Sequence, residues 1–165
     1  MAVQGTIEQF STAFPQVETS EFRGQTRAVV PSEALFAALE WLRDEGGFDM
    51  LVDVTCVDYL ASRGAPGRFG LVYLLLDTQE GERLTLRTYV NDPEPEVRSA
   101  VPLWEGANWL EREVWDLFGI RFAGHPDLRR IVLPDEFATH PLRKDYPMQG
   151  RGERHNFPVI TRGEG

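Results

Sequence analysis

Cysteine is the scarcest resource of this 165-residue sequence: Cys56 stands alone. One thiol cannot close an internal disulfide, complete a structural zinc site or hold an iron–sulfur cluster, each of which takes several ligands. A reducing, cytosolic compartment is the natural expectation. Long apolar runs are missing too. No wholly apolar stretch exceeds six residues (Leu71–Leu76), where a membrane-spanning helix needs about twenty. Direct insertion into a bilayer is therefore not expected. The opening MAVQGTIEQF has neither a basic segment nor a long apolar one, so no signal peptide is expected. Gly64, Gly67 and Gly70 precede a strand instead of joining a strand to a helix, and no Gly-Lys-Ser/Thr follows a glycine loop. Dinucleotide and Walker-type phosphate sites are thereby excluded.

Charge is present but unevenly spread. The net charge is −9, yet residues 1–118 hold 9 basic and 20 acidic side chains while residues 119–165 hold 8 and 6. An acidic body carries a slightly basic tail. Nucleic acid is excluded as a general partner of such a body, because phosphate contact needs clustered positive charge. The basic residues are 16 arginines and one lysine, Lys144.

The pattern along the chain predicts one α+β domain. Thr6 is expected to cap a short helix bearing Ile7, Phe10 and Phe14, stopped by Pro15. Residues 17–22 and 25–30 read as strands around an Arg23-Gly24 turn. Pro31-Ser32 opens a helix with Leu35, Leu39 and Leu42 on one stripe and Phe36 and Ala38 beside it, closed by Gly46-Gly47. Residues 50–59, 69–77 and 82–90 are three further strands rich in Val, Leu, Thr and Tyr. The second is apolar almost throughout, as a strand covered on both faces would be. The third alternates Leu84, Leu86, Thr88 and Val90 against Arg83, Arg87 and Tyr89. Helices on one side of a mixed sheet of about five strands give a two-layer domain, residues 1–118. After the turn-rich Asn91–Pro95, a last helix is expected to start at Asn108, with Glu111 completing a capping box, and to end at Phe118 with Gly119 beyond it.

Beyond Gly119 the periodicity disappears. Residues 119–165 carry prolines at 126, 134, 141, 147 and 158, with no helical stripe. A segment this long without structure of its own is either disordered or held by something else. Disordered segments are poor in aromatic and branched apolar residues. This one keeps Phe122, Leu128, Ile131, Val132, Leu133, Phe137, Leu142, Tyr146, Phe157 and Ile160. The expectation is an extended strap, laid first over its own domain and then over a partner.

Candidate chemistry is thin. His125, His140 and His155 lie fifteen residues apart in irregular chain, a spacing suited to donation onto backbone carbonyls and not to a chelate. Cys56, in a strand, reads as a small buried apolar residue. Glu111, Glu113 and Asp116 share one helix. Glu111 is assigned to the cap, and Arg112 and Asp116 are spaced to pair along the helix. Glu113 has no cation at i±3 or i±4, which leaves it for an arginine of the tail: Arg121, Arg129, Arg130, Arg143 or Arg151. A stand-alone metal-dependent hydrolase built on Glu111, Glu113, Asp116 and His125 is the catalytic alternative.

The run Glu111–Val132 (EREVWDLFGIRFAGHPDLRRIV) resembles the signature of the 30 kDa subunit family of respiratory complex I, the proton-pumping NADH:quinone oxidoreductase. The pattern is Glu-Arg-Glu, an acid after two free positions, two apolar residues, then a His or Lys, a basic residue and two apolar residues at set spacings. Glu111, Arg112, Glu113, Asp116, Leu117, Phe118, His125, Arg129, Ile131 and Val132 fill every fixed position. The following DEFATHPLRKDYP is similar to the family's second block, with Pro141, Leu142, Arg143, Lys144 and Asp145 matching. Gly106–Trp109, Asp53–Thr55 and Val57–Tyr59 are similar upstream, so the resemblance spans about residues 30–150.

The resemblance implies an α+β component of the hydrophilic arm that binds no cofactor itself, while the assembled complex uses FMN, iron–sulfur clusters, NADH and quinone. It implies a long C-terminal segment laid over the neighbouring 49 kDa-type subunit, near iron–sulfur subunits, on the cytoplasmic side of a bacterial plasma membrane. The interface or structural signature it marks is Glu111, Arg112, Glu113, Asp116, His125, Arg129, Arg130, His140, Pro141, Arg143, Lys144, Asp145 and Tyr146. An equivalent component of a complex-I-like membrane hydrogenase is the alternative within the same lineage.

Overall fold

A computed structural model describes residues 3–156. Phe157, Pro158 and Ile160, expected to belong to the strap, lie outside the described residues. The chain is α+β. Helix α1 (Val3–Ala13) leads into β1 (Glu18–Phe22) and β2 (Gln25–Val29), and a 3-10 turn at Ser32–Ala34 runs into α2 (Leu35–Asp44). Strands β3 (Met50–Asp58), β4 (Phe69–Leu76) and β5 (Arg83–Val90) follow as a meander. The five form one sheet in the order β1-β2-β5-β4-β3, antiparallel except for the parallel β2–β5 pair. The α2 crossover is what lets β5 return beside β2 in parallel. Arg23 and Gly24 both take positive φ (55° and 75°), the two-residue turn whose twist matches a hairpin.

The core lies between the helices and one face of this sheet. Phe10 of α1 and Leu35, Ala38, Leu39 and Leu42 of α2 are fully buried, as are Ala28, Leu71, Tyr73 and Leu86 beneath them. The predicted α2 stripe and β5 alternation are both present. One start signal misled. Thr6 is buried within α1, which already includes Val3, so it does not cap that helix.

A second, smaller group of elements carries the functional region. β6 (Glu96–Arg98), α3 (Ala107–Phe118) and β7 (Arg121–Ala123) make a strand–helix–strand turn whose strands pair in parallel. The expectation of no strand after Gly119 is corrected by β7, whose Phe122 is buried. Three residues are too few to show a period of two, which is why neither strand was visible. Gly119 ends α3 with φ 76° and donates its N–H to the Trp115 carbonyl at 2.8 Å, as expected of a left-handed helix end. A last 3-10 turn spans Glu153–Asn156.

Candidate functional site

The strap is pinned to α3 by a pair of side chains that read its backbone from two sides. Arg112 donates from Nε to the Arg129 carbonyl at 3.1 Å and from Nη2 to the Arg130 carbonyl at 3.0 Å. One turn on, the fully buried Asp116 accepts three successive backbone N–H groups on Oδ2, from Ile131, Val132 and Leu133 at 3.0, 2.8 and 2.9 Å. Its Oδ1 accepts from Arg130 Nη1. Arg112 and Asp116 therefore do not pair with each other as their spacing suggested. Each is spent on the strap. Burial alone would raise the Asp116 carboxyl, but the three N–H groups and then Arg130 outweigh it and hold the pKa below the ordinary value. The Arg130 guanidinium continues to the Thr139 carbonyl at 3.2 Å and lies between the rings of Trp115 (5.7 Å) and Phe137 (6.0 Å).

Two histidines act as expected, on backbone. His125 donates from Nε2 to the Asn108 carbonyl at 3.2 Å while its Nδ1 accepts the Asp127 N–H at 3.0 Å. His140 Nδ1 lies 2.9 Å from the Asp116 carbonyl, and the ring stands edge-on to Trp115. Burial lowers the His140 pKa, favouring the neutral ring that this geometry uses. The Leu142 N–H then reaches the Leu117 carbonyl at 3.0 Å, so the strap passes the C-terminal end of α3 under continuous hydrogen bonding.

A second pin lies on the sheet. Asp58, buried at the end of β3, accepts the Lys144 N–H at 2.8 Å, the Leu60 N–H at 2.9 Å and Arg68 at 3.1 Å. Arg68 also meets Asp92 and, at 2.9 Å, Asp145; Arg143 meets Asp92 as well. Both guanidinium groups stack near the Phe69 ring, at 4.8 and 4.9 Å. Burial works against the Asp58 anion, yet the Arg68 hydrogen bond and the Lys144 and Leu60 N–H groups hold its pKa below the ordinary value. Burial works against the Arg68 cation too, but Asp58 and Asp145 raise its pKa above the ordinary value. In the sequence Asp58 stands out only as part of a similar run, and nothing there marks Arg68 or Asp92. No short spacing links residues 58, 68, 92 and 144, so only the sheet register brings them together.

The remaining signature residues separate into inward and outward groups. Glu111 does not cap α3, whose first position is Ala107 with Gly106 before it. It is fully buried and accepts the Ser99 hydroxyl at 2.7 Å and the Ala100 N–H at 2.6 Å, fastening the end of β6 to the helix. Burial pushes its pKa up to about 7. Glu113 faces solvent, and among the described residues no arginine pairs with it, contrary to expectation. The side chains of Arg129 and Arg121 meet exposed neighbours, Asp127 and Glu96. Pro141 lines a hollow with Leu133, Phe137 and Tyr146, and Arg151 lies over the Tyr146 ring. Cys56 is buried, and burial pushes its thiol up to about 12, as suits a small buried apolar residue.

Glu111, Glu113, Asp116 and His125 thus point to four different surroundings and do not converge on a substrate or metal. Among the described residues no group of three or more His, Cys, Asp or Glu could hold a metal ion. What the arrangement offers is a surface. Trp109 (61% exposed), Val132 (57%) and Leu142 (49%) stand outward on α3 and the strap, and Leu142 lines a hollow with Glu113.

Residues 28–152 match the family model described as the 30 kDa subunit of respiratory-chain NADH dehydrogenase. A protein of Trichlorobacter lovleyi, named as the C-type subunit of NADH-quinone oxidoreductase, is 47% identical over 136 residues, covering 82% of this chain and 83% of that protein. The protein of the same name from Moorella thermoacetica is 39% identical and covers 88% and 96%. Among solved structures, a trypsin-resistant fragment of Nqo5 is 34% identical with a TM-score of 0.69, covering 78% of this chain and all of the fragment. A chain of an archaeal membrane-bound sulfane sulfur reductase shares the fold over 98% of this chain and 95% of its own length (TM-score 0.78, 21% identity).

Proposed function

The chain belongs to the 30 kDa subunit family of the respiratory-chain NADH dehydrogenase, and on that premise we propose that it is a non-catalytic structural subunit of the peripheral arm of proton-translocating NADH:quinone oxidoreductase. Electrons pass from NADH through FMN and iron–sulfur clusters to quinone in other subunits, and this chain supports that path by holding its neighbours in place. The partner of the strap is the 49 kDa-type subunit, with iron–sulfur subunits adjacent, on the cytoplasmic side of the membrane. Among the described residues no helix is long and apolar enough to cross a membrane, which fits attachment through the complex.

One observation carries this reading: the backbone of the strap is hydrogen-bonded on its inner side, while side chains of the strap and of α3 stand outward without a partner among the described residues. Arg112, Asp116 and Asp58 hold its backbone and its own His140 holds the Asp116 carbonyl, while Val132 and Leu142 of the strap and Trp109 and Glu113 of α3 face outward, Glu113 without an ion-pair partner among the described residues. Pre-ordered apolar anchors beside a charge are what a stable interface uses, because less ordering entropy is lost on docking. The signature then divides into residues that hold the strap and residues, led by Glu113, that meet the partner. The name borne by relatives 47% and 39% identical favours this complex over a related membrane hydrogenase.

Glu113→Ala separates the structural role from a catalytic one. Assembled complex on native gels should fall several-fold, with turnover per assembled complex unchanged. Normal abundance with lost quinone reductase activity would overturn the proposal.

A further inference from the structure

The strap uses one side of the molecule; the five-stranded sheet leaves its opposite face without a helix, covered at the Gly70 end by the rings of Tyr59 and Tyr89. α1 and α2 pack on the face bearing Leu71, Tyr73 and Leu86, and α3 lies against β3 on the same side. No helix among the described residues covers the opposite face. The register puts the buried Val72 and the half-exposed Leu74 and Leu76 of β4 there, with the exposed Val57 on the neighbouring β3. A sheet face turned to solvent normally carries polar residues, so half-exposed leucines on its central strand beside arginines suit an interaction surface.

Its charge is the reverse of the body's. Residues 1–118 carry 20 acidic and 9 basic side chains, yet the middle of this face holds Arg83 and Arg87 on β5 and Arg27 on β2. The strand carboxylates on the same side are Glu18 and Asp53, on the two edge strands. Arg87 Nε is buried, and no acceptor reaches it among the described residues. A sheltered guanidinium N–H without an acceptor is costly, and a carboxylate is its best partner. A second copy is a poorer source, since a two-fold through the middle of the face would bring the arginine row against itself and keep Glu18 and Asp53 at the edges.

We infer that this face docks an acidic segment of a neighbouring subunit, with carboxylates on Arg27, Arg83 and Arg87 and apolar side chains on the half-exposed Leu74 and Leu76. It is a second contact surface, separate from the strap, and rests on the proposed function only in placing the chain within a larger assembly.

The test uses the full chain made in its own host, with a photo-reactive p-benzoylphenylalanine at Thr85, between Arg83 and Arg87, or at Val132 on the strap. The Thr85 probe should capture a carboxylate-rich peptide of another subunit in the purified complex. Arg87→Glu should cut that yield at least fivefold, while Arg87→Lys keeps most of it. A Thr85 adduct to a second copy, to this chain's own C-terminal residues or to a peptide without carboxylates overturns the inference, as does a yield indifferent to Arg87→Glu. A Val132 adduct with no Thr85 adduct overturns it and leaves the proposed function standing. Absence of both overturns both.

Discussion

Glu111 and Asp116 are carboxylates five residues apart on one helix, equally inaccessible, and their pKa values move in opposite directions. Donor count explains the difference. Asp116 receives three backbone N–H groups and a guanidinium, enough to overcome desolvation; Glu111 receives one hydroxyl and one N–H and no cation. Glu111 therefore binds its proton more tightly in the native state than in the unfolded chain. Its native pKa of about 7 lies above its ordinary 4.5, so its penalty is absent below about pH 4.5, grows as pH rises, and is complete above about pH 7. At roughly 1.4 kcal/mol for each pH step between those two values, the total amounts to a few kcal/mol. Glu111→Gln keeps an acceptor for the Ala100 N–H and offers an amide to the Ser99 hydroxyl, without the charge. Urea unfolding at a series of pH values should show the variant gaining stability over the native chain between pH 5 and 7. Parallel pH profiles would refute the assignment.

Helix α3 shows which features of an element can be read from sequence. Its C-terminal end was legible, because a glycine after an apolar helical stripe has one common use. Its start was not. Asn108 and Glu111 match a capping box, but the chain already turns at Ala100–Trp104 and enters the helix at Ala107, which frees Glu111 for Ser99 and Ala100. A short motif is satisfied by local spacing alone, whereas the actual partners came from the end of β6, a strand too short to betray itself. Helix α2 and strands β3 and β5 were legible because their periods persist over eight or more residues, β4 because it is apolar along its length, and the short β1 and β2 because of the Arg23-Gly24 turn between them. Gly119 also has a tertiary duty. A Cβ there would approach His140 Cδ2 to 2.6 Å, while at Gly124, also at positive φ, it would meet nothing within 4 Å. Gly124→Ala should thus cost only the left-handed strain of about 1 kcal/mol. Gly119→Ala should cost that and roughly 1 kcal/mol more, through the displaced His140 hydrogen bond. Equal shifts in unfolding midpoint for the two variants would mean that His140 does not hold the strap.

An extended segment gives up roughly 1–2 kcal/mol of backbone entropy per ordered residue, so it stays docked only where pins are dense. The strap has two dense stretches: residues 129–133 on Arg112 and Asp116, and residues 140–144 on Asp116, Leu117 and Asp58. Beyond them the contacts of Arg151 are with Tyr146 and Glu153, other residues of the tail. The acidic-body, basic-tail division that the composition revealed therefore does not mark where order stops. Asp116 and Asp58 belong to the body and give the tail its anchors, a join no stretch of sequence displays. Local opening should follow the pins, the weakest stretch first. Limited trypsin digestion of the isolated chain should cut first after Arg151 and more slowly after Arg143 and Lys144, whose backbone is held at Leu117 and Asp58. In the assembled complex all three sites should be protected, because the outward side chains of the strap are then covered. Mass spectrometry of timed digests distinguishes the sites. Equal rates at Arg143 and Lys144 in the two states would mean that the strap gains nothing from a partner, and an interface there would have to be abandoned.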